Sequence, residues 1–243
     1  MKLTDTTGLI LDINVDYQLA EHMVVFSHGF GVERTGRGLF SDIVTALPSN
    51  FGYVMFDYYE HEDNTVRITS FEDQQCSLLT IIAWLSEQGS VHDISLVAHS
   101  MGCIVAALAQ PPELQRAVML APPLSFDSKI RKYFLEQPGA TNNDGSWSIP
   151  RRDGTATIIT ESVFDEIEHL QPAEALLDYA AVQPYELLIP TDDDVLGTVD
   201  YNDLSLDPNI SARTIAEADH NFSGVSREPL VAAVIDWLTS PTL

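Results

Sequence analysis

The chain has 243 residues, 45% of them hydrophobic and 20% charged, which is enough for one sizeable core and excludes a wholly disordered chain. Thirty-six acidic residues against 12 Lys and Arg give a formal charge of −24; such a surface repels polyphosphates, which weighs against nucleic acid and mildly against anionic substrates such as coenzyme A esters. No apolar run reaches the roughly 18 residues of a membrane span, and the opening MKLTDTTGLILDINVDY lacks a signal-peptide pattern, so a soluble, cytoplasmic protein is expected.

The expected elements follow in chain order. Leu9–Val15 and Met23–Ser27, with a short connection, read as an antiparallel start. A short helix over Phe40–Leu47 leads to a strand over Gly52–Asp57. Ser70–Gln88 reads as a long helix that Thr69-x-x-Glu72 opens as a capping box and Gly89 ends. Its Leu78, Leu79, Ile81, Ile82, Trp84 and Leu85 form a core-facing stripe. Then come a strand over Ile94–Ala98, a helix over Met101–Gln110 that stops before Pro111-Pro112, and a strand over Ala117–Ala121. Residues 124–165 break the rhythm. Asp153-Gly154 between β-rich segments signals a hairpin, so this stretch reads as a small lid inserted in the domain, too short to bury its own core. A helix over Ala173–Val182, strands over Tyr185–Ile189 and Arg213–Ala216, and a helix over Pro229–Thr239 complete the chain. Continuous apolar strands alternating with helices predict a single α/β domain over 1–243, its mostly parallel sheet flanked by helices on both faces.

The strongest chemical signal is Ala98-His99-Ser100-Met101-Gly102, between a buried-strand pattern and a helix pattern. A tight strand-to-helix turn needs small residues two before and two after the serine, and it pushes the hydroxyl out of the sheet at a helix N-terminus. A serine nucleophile needs a base. His220 follows the last strand and shares with Ser100 the edge where parallel strands end. His28 reads as a loop-shaping residue, His99 as pointing away from the serine hydroxyl, and His22, His61, His92 and His169 as exposed. No histidine pair has metal-ligand spacing, and Cys76 and Cys103 suit neither a disulfide framework nor a zinc site, so no metal is expected.

Asp192, Asp193 and Asp194 follow one strand and compete to orient the imidazole. Loop reach, together with Val195-Leu196 tucking into the core, favours Asp194 and leaves the other two as solvated carboxylates. Two backbone N–H groups should hold a developing oxyanion. Met101 at the helix start is one; Phe30 of His28-Gly29-Phe30-Gly31 is the other, with Gly31 as fallback. In the insertion, Trp147, Ile149, Ile158 and Ile159 suit an acyl or aryl group. Arg151 and Arg152 either meet a carboxylate or form a solvated hairpin turn.

Ser100, Asp194 and His220 in that chain order, the HGFG segment and the position of the insertion resemble the α/β-hydrolase superfamily over nearly the whole chain. The short hairpin lid is similar to that of the small bacterial feruloyl (cinnamoyl) esterases. The resemblance implies a serine hydrolase that cleaves short to medium acyl or aryl carboxylic esters through an acyl-enzyme, with a small-molecule ester as its partner and no cofactor. A thioesterase, an aminopeptidase-like amidase and a non-catalytic binding protein of the same fold are the alternatives. The pentad opens with Ala98 where the family has glycine, and Asp57-Tyr-Tyr-Glu-His-Glu-Asp replaces a glycine-rich loop. A serine rather than an aspartate nucleophile separates the chain from haloalkane dehalogenases and epoxide hydrolases.

Overall fold

A computed structural model describes the chain except residues 17–19, 63, 113, 127–128, 152 and 241–243, with backbone alone at 129–130 and 133. The first half runs β1 (Lys2–Thr4), β2 (Ile10–Asp16), β3 (His22–Ser27), α1 (Leu39–Ala46), β4 (Phe51–Phe56), β5 (Glu60–Glu62), β6 (Thr65–Arg67), α2 (Phe71–Ser86), β7 (Asp93–His99) and α3 (Met101–Ala109). Then come β8 (Arg116–Leu120), α4 (Lys129–Leu135), β9 (Thr141–Asn143), β10 (Ser146–Pro150), β11 (Ala156–Thr160), α5 (Glu161–His169) and α6 (Pro172–Val182). The chain closes with β12 (Tyr185–Pro190), α7 (Asn202–Ser205), β13 (Ile210–Ile215) and α8 (Arg227–Thr239).

Eight strands form the main sheet in the order β1-β2-β4-β3-β7-β8-β12-β13. The strands from β4 to β13 along this order are parallel, and β1 and β2 are the antiparallel edge. The interior strands β7 and β8 are apolar runs buried on both faces, because helices cover both sides. Leu78, Ile81 and Leu85 of α2, Ile104 of α3 and Leu176 of α6 pack on one face. Leu39, Phe40 and Ile43 of α1 and Leu230 and Val234 of α8 pack on the other.

Two local expectations are corrected. β2 is antiparallel, but it pairs with β4 rather than β3. β2 alternates buried and exposed residues, which suits an outer position, whereas Met23 to Ser27 of β3 are all buried and need neighbours on both sides. Helix α2 is capped one residue later than expected. The Ser70 hydroxyl accepts from Asp73 N–H at 3.0 Å, while the Thr69 hydroxyl donates to Tyr58 O.

The hairpin signalled by Asp153-Gly154 forms as β10–β11. The glycine-free segment after β4 is a second hairpin, β5–β6, whose β6 pairs in parallel with β11. Together with β9 these strands make a five-stranded sheet over the main one's C-terminal edge. Ile149, Ile159, Val163 and Phe164 of the inserted region, with Ile167 just beyond it, share the core cluster with α2, α3 and α6.

Candidate active site

Ser100 sits on the turn from β7 into α3 with φ 54° and ψ −123°, outside the regions an L-residue prefers. Ser100 N–H donates to Leu120 O at 2.8 Å, which ties the turn to β8. The flanking small residues have a steric cause. Ala98 is fully buried, and a β-carbon on Gly102 would lie 2.3 Å from Ser27 O and 2.6 Å from His28 O. Those atoms are backbone and cannot swing aside. Gly102→Ala is therefore expected to destabilise the fold by about 3 kcal/mol, read as a lower urea midpoint at unchanged m.

The Ser100 hydroxyl donates to His220 Nε2 at 2.9 Å, and His220 Nδ1–H donates to Asp193 Oδ2 at 2.7 Å. The His220 and Asp193 side chains are 6% and 4% exposed. This corrects the expectation of Asp194. Asp193 Oδ1 accepts from Val195 N–H at 2.9 Å and Leu196 N–H at 2.7 Å, so the backbone curls around that carboxylate and turns it inward. Asp194 is exposed and, among the described residues, accepts only from His220 backbone N–H, at 3.3 Å. Val195 is 61% exposed and does not tuck into the core. Burial alone would raise the Asp193 pKa, but the His220 hydrogen bond and the Leu196 and Val195 N–H groups outweigh it and hold the carboxyl below its usual range.

The loop after β3 is held from beneath. His28 Nδ1–H donates to Gly29 O at 2.9 Å, and His28 Nε2 accepts from Tyr58 N–H at 3.0 Å. Gly29 C=O and Phe30 N–H belong to one trans peptide and point in opposite directions, so fixing the carbonyl aims the Phe30 N–H. Below it, Ser27 Oγ donates to Gly102 O at 2.9 Å and shares a 2.7 Å hydrogen bond with Tyr58 Oη, tying this strand end to α3. Phe30 N–H and Met101 N–H donate to no acceptor among the described residues. The Phe30 ring packs on Phe134 of α4.

His99 turns away from the Ser100 hydroxyl, and its Nε2–H donates to His220 O at 2.9 Å. Burial pushes the His28 pKa down to about 4. Burial, and then the neighbouring His220, push that of His99 down to about 3. Both rings are thus held neutral. A depressed histidine pKa contributes stability that is complete above the unfolded value, roughly pH 6.5, and is lost as pH falls toward the folded value. The ring NMR signals of His28 and His99 are therefore expected to stay those of neutral imidazoles from pH 7 down to about 5.

The remaining sequence-predicted residues lie in the insertion. Trp147 Nε1–H donates to Glu161 Oε1 at 2.6 Å, so its polar edge is already engaged. Ile149 is 4% exposed and packs in the core; its position facing inward on β10 leaves no surface for a substrate, contrary to expectation. Ile159 is likewise buried, and Ile158 is half-buried. Arg151 lies at the hairpin turn beside Gly31; Arg152 is outside the described residues. Asp193, with Thr191, Val199 and Tyr201, lines a hollow of about 410 Å³ behind the acid loop. No group of three or more His, Cys, Asp or Glu among the described residues is arranged to hold a metal. No described helix is long and apolar enough to cross a membrane.

A family model described as the alpha/beta hydrolase family matches residues 24–234. No curated protein matches the chain in sequence. Solved structures do. The esterase domain of a Rhodothermus marinus protein is 16% identical with a TM-score of 0.69, the match covering 98% of this chain and 95% of that one. Est1E from Butyrivibrio proteoclasticus, solved with ferulic acid bound, is 14% identical with a TM-score of 0.71, covering 98% and 97%. The Pyrococcus furiosus esterase Pf2001 is 16% identical with a TM-score of 0.66, covering 98% and 88%.

Proposed function

The chain belongs to the alpha/beta hydrolase family, and on that premise we propose that it hydrolyses small carboxylic esters with Ser100 as nucleophile, His220 as general base and acid, and Asp193 as the orienting carboxylate. The observation that carries the reading is the continuous chain of hydrogen bonds, 2.9 Å from Ser100 Oγ to His220 Nε2 and 2.7 Å from His220 Nδ1 to Asp193 Oδ2. Ester-hydrolysing neighbours of the same fold support the choice of substrate class.

In this mechanism Ser100 Oγ attacks the ester carbonyl carbon while its proton passes to His220 Nε2. Asp193, held as carboxylate, stabilises the imidazolium through Nδ1–H. Phe30 and Met101 N–H groups donate to the carbonyl oxygen as it becomes negative. His220 then returns the proton to the departing alcohol, leaving an acyl group on Ser100. Water, deprotonated by His220, attacks that acyl-enzyme; as the acyl–oxygen bond breaks, His220 returns the proton to Ser100 Oγ and the acid is released. Residues 124–165 act as a lid, with Phe134 against the Phe30 side of the oxyanion loop.

Hydrolysis of p-nitrophenyl esters from acetate to palmitate tests this reading. Turnover is expected to peak at short to medium chains. No turnover at any length, or cleavage of matched thioesters or anilides alone, would contradict it.

A further inference from the structure

The side chain of His220 is engaged by Ser100 and Asp193, and its backbone carbonyl is engaged by the residue that precedes the nucleophile. His220 O accepts from His99 Nε2–H at 2.9 Å. A carbonyl only accepts, so His99 is the Nε2–H tautomer and its Nδ1 carries the lone pair.

This contact closes a ring through the site. From Ser100 Oγ the ring crosses to His220 Nε2 and descends the His220 side chain to its carbonyl. It then passes over the hydrogen bond to the His99 imidazole and returns to Ser100 through one peptide bond. His99 is itself firmly held. It ends β7, paired in register with Leu120 of β8, and is 3% exposed. Its ring packs on that of His220 with centroids 5.0 Å apart, and on Phe222 at 6.5 Å. Its Nδ1 stands 3.5 Å from where a β-carbon on Gly29 would be, so the ring lies between the histidine loop and the oxyanion loop. The His220 backbone N–H, by contrast, meets the exposed Asp194 at 3.3 Å, a weak hold. The chemistry also calls for an uncharged donor here. A buried cation would oppose the imidazolium that forms on His220 during attack, whereas the His99 ring is kept neutral by burial and by His220.

We propose that His99 is a positioning residue for the general base: its imidazole locks the His220 backbone to the nucleophile turn and so sets the reach from His220 Nε2 to Ser100 Oγ. This rests on the ester-hydrolase reading above.

The test compares His99→Gln with His99→Met. The glutamine amide nitrogen can take the place of Nε2, while methionine matches its length and offers no donor. A shift of about 1 Å between reacting groups costs about a hundredfold in rate. His99→Met is therefore expected to lower kcat for p-nitrophenyl butyrate about thirty- to a hundredfold with KM within about twofold, and His99→Gln to stay within about fivefold of wild type. Both are assayed well below their melts. Should His99→Met not fold, His99→Asn, whose amide is one bond too short to reach His220 O, should show the same loss. Equal kcat in the glutamine variant and the donor-free variant, or a loss confined to KM, would overturn the proposal. If wild type cleaves none of the esters, the ester reading fails, and the rate of fluorophosphonate labelling at Ser100 still decides the role of His99: slow in His99→Met and near wild type in His99→Gln. Nitrogen-15 NMR of the wild-type protein needs neither variant nor turnover. It should show His99 as the Nε2–H tautomer with a slowly exchanging proton, and an Nδ1–H tautomer would overturn the proposal.

Discussion

Ser100→Ala is expected to lower kcat for a p-nitrophenyl ester by about five to six orders of magnitude, to a residue left by the oxyanion donors and substrate binding. The size follows from the chemistry. Without Oγ there is no atom to carry the acyl group, and His220 Nε2 has no proton to accept. The loss is expected to be chemical rather than structural. Alanine at φ 54° bears the same backbone strain as serine and gives up one hydrogen bond, so the fold should persist. Ser100→Gly removes that strain and should be more stable than Ser100→Ala by about 1 kcal/mol while equally inactive. A Ser100→Ala protein that keeps more than a few per cent of wild-type turnover would remove the serine from the mechanism.

Asp193→Asn is expected to cost about four orders of magnitude in kcat, and Asp194→Asn less than about threefold. Asp193 Oδ1 is fixed as the acceptor for Val195 and Leu196 N–H, so the amide nitrogen of an asparagine must take the place of Oδ2. Two donors then face each other, Nδ1–H and the amide, and the imidazole escapes by moving its proton to Nε2. In that tautomer Nε2 cannot accept from Ser100. Asp194 faces solvent, and an asparagine there keeps the single oxygen that meets His220 N–H. Equal losses at both positions, or the larger loss at Asp194, would contradict the assignment.

The pair of aspartates marks the boundary of what could be read from sequence. Ser100 was legible because its geometry is local: an apolar strand, a turn that tolerates only small neighbours, a helix. His220 was legible because the ends of parallel strands share an edge. The choice among three adjacent aspartates depends on which carboxylate the backbone wraps. That wrap is set by Asp192 N–H donating to Ala218 O at 2.9 Å, a contact between loops of different strands that leaves no periodic trace. The second sheet was illegible for the same reason. Thr65–Arg67 alone is too short and polar to read as a strand, and it becomes one because Glu60–Glu62 and Ala156–Ile158 lie alongside it. His28 gave a hint as the residue opening HGFG, but its grip on Gly29 O requires Tyr58 N–H from another strand's end. The α/β class, the parallel centre and the hairpin of the insertion all rest on patterns within single segments, and they were read correctly.

The measurement that bears most directly on the central claim is covalent labelling with a serine-directed fluorophosphonate, followed by mass analysis of the peptides. The account predicts one label per chain, on Ser100, with the rate strongly reduced in His220→Ala because the hydroxyl then has no base. Absence of labelling, a label on another serine, or labelling at an unchanged rate in His220→Ala would contradict it.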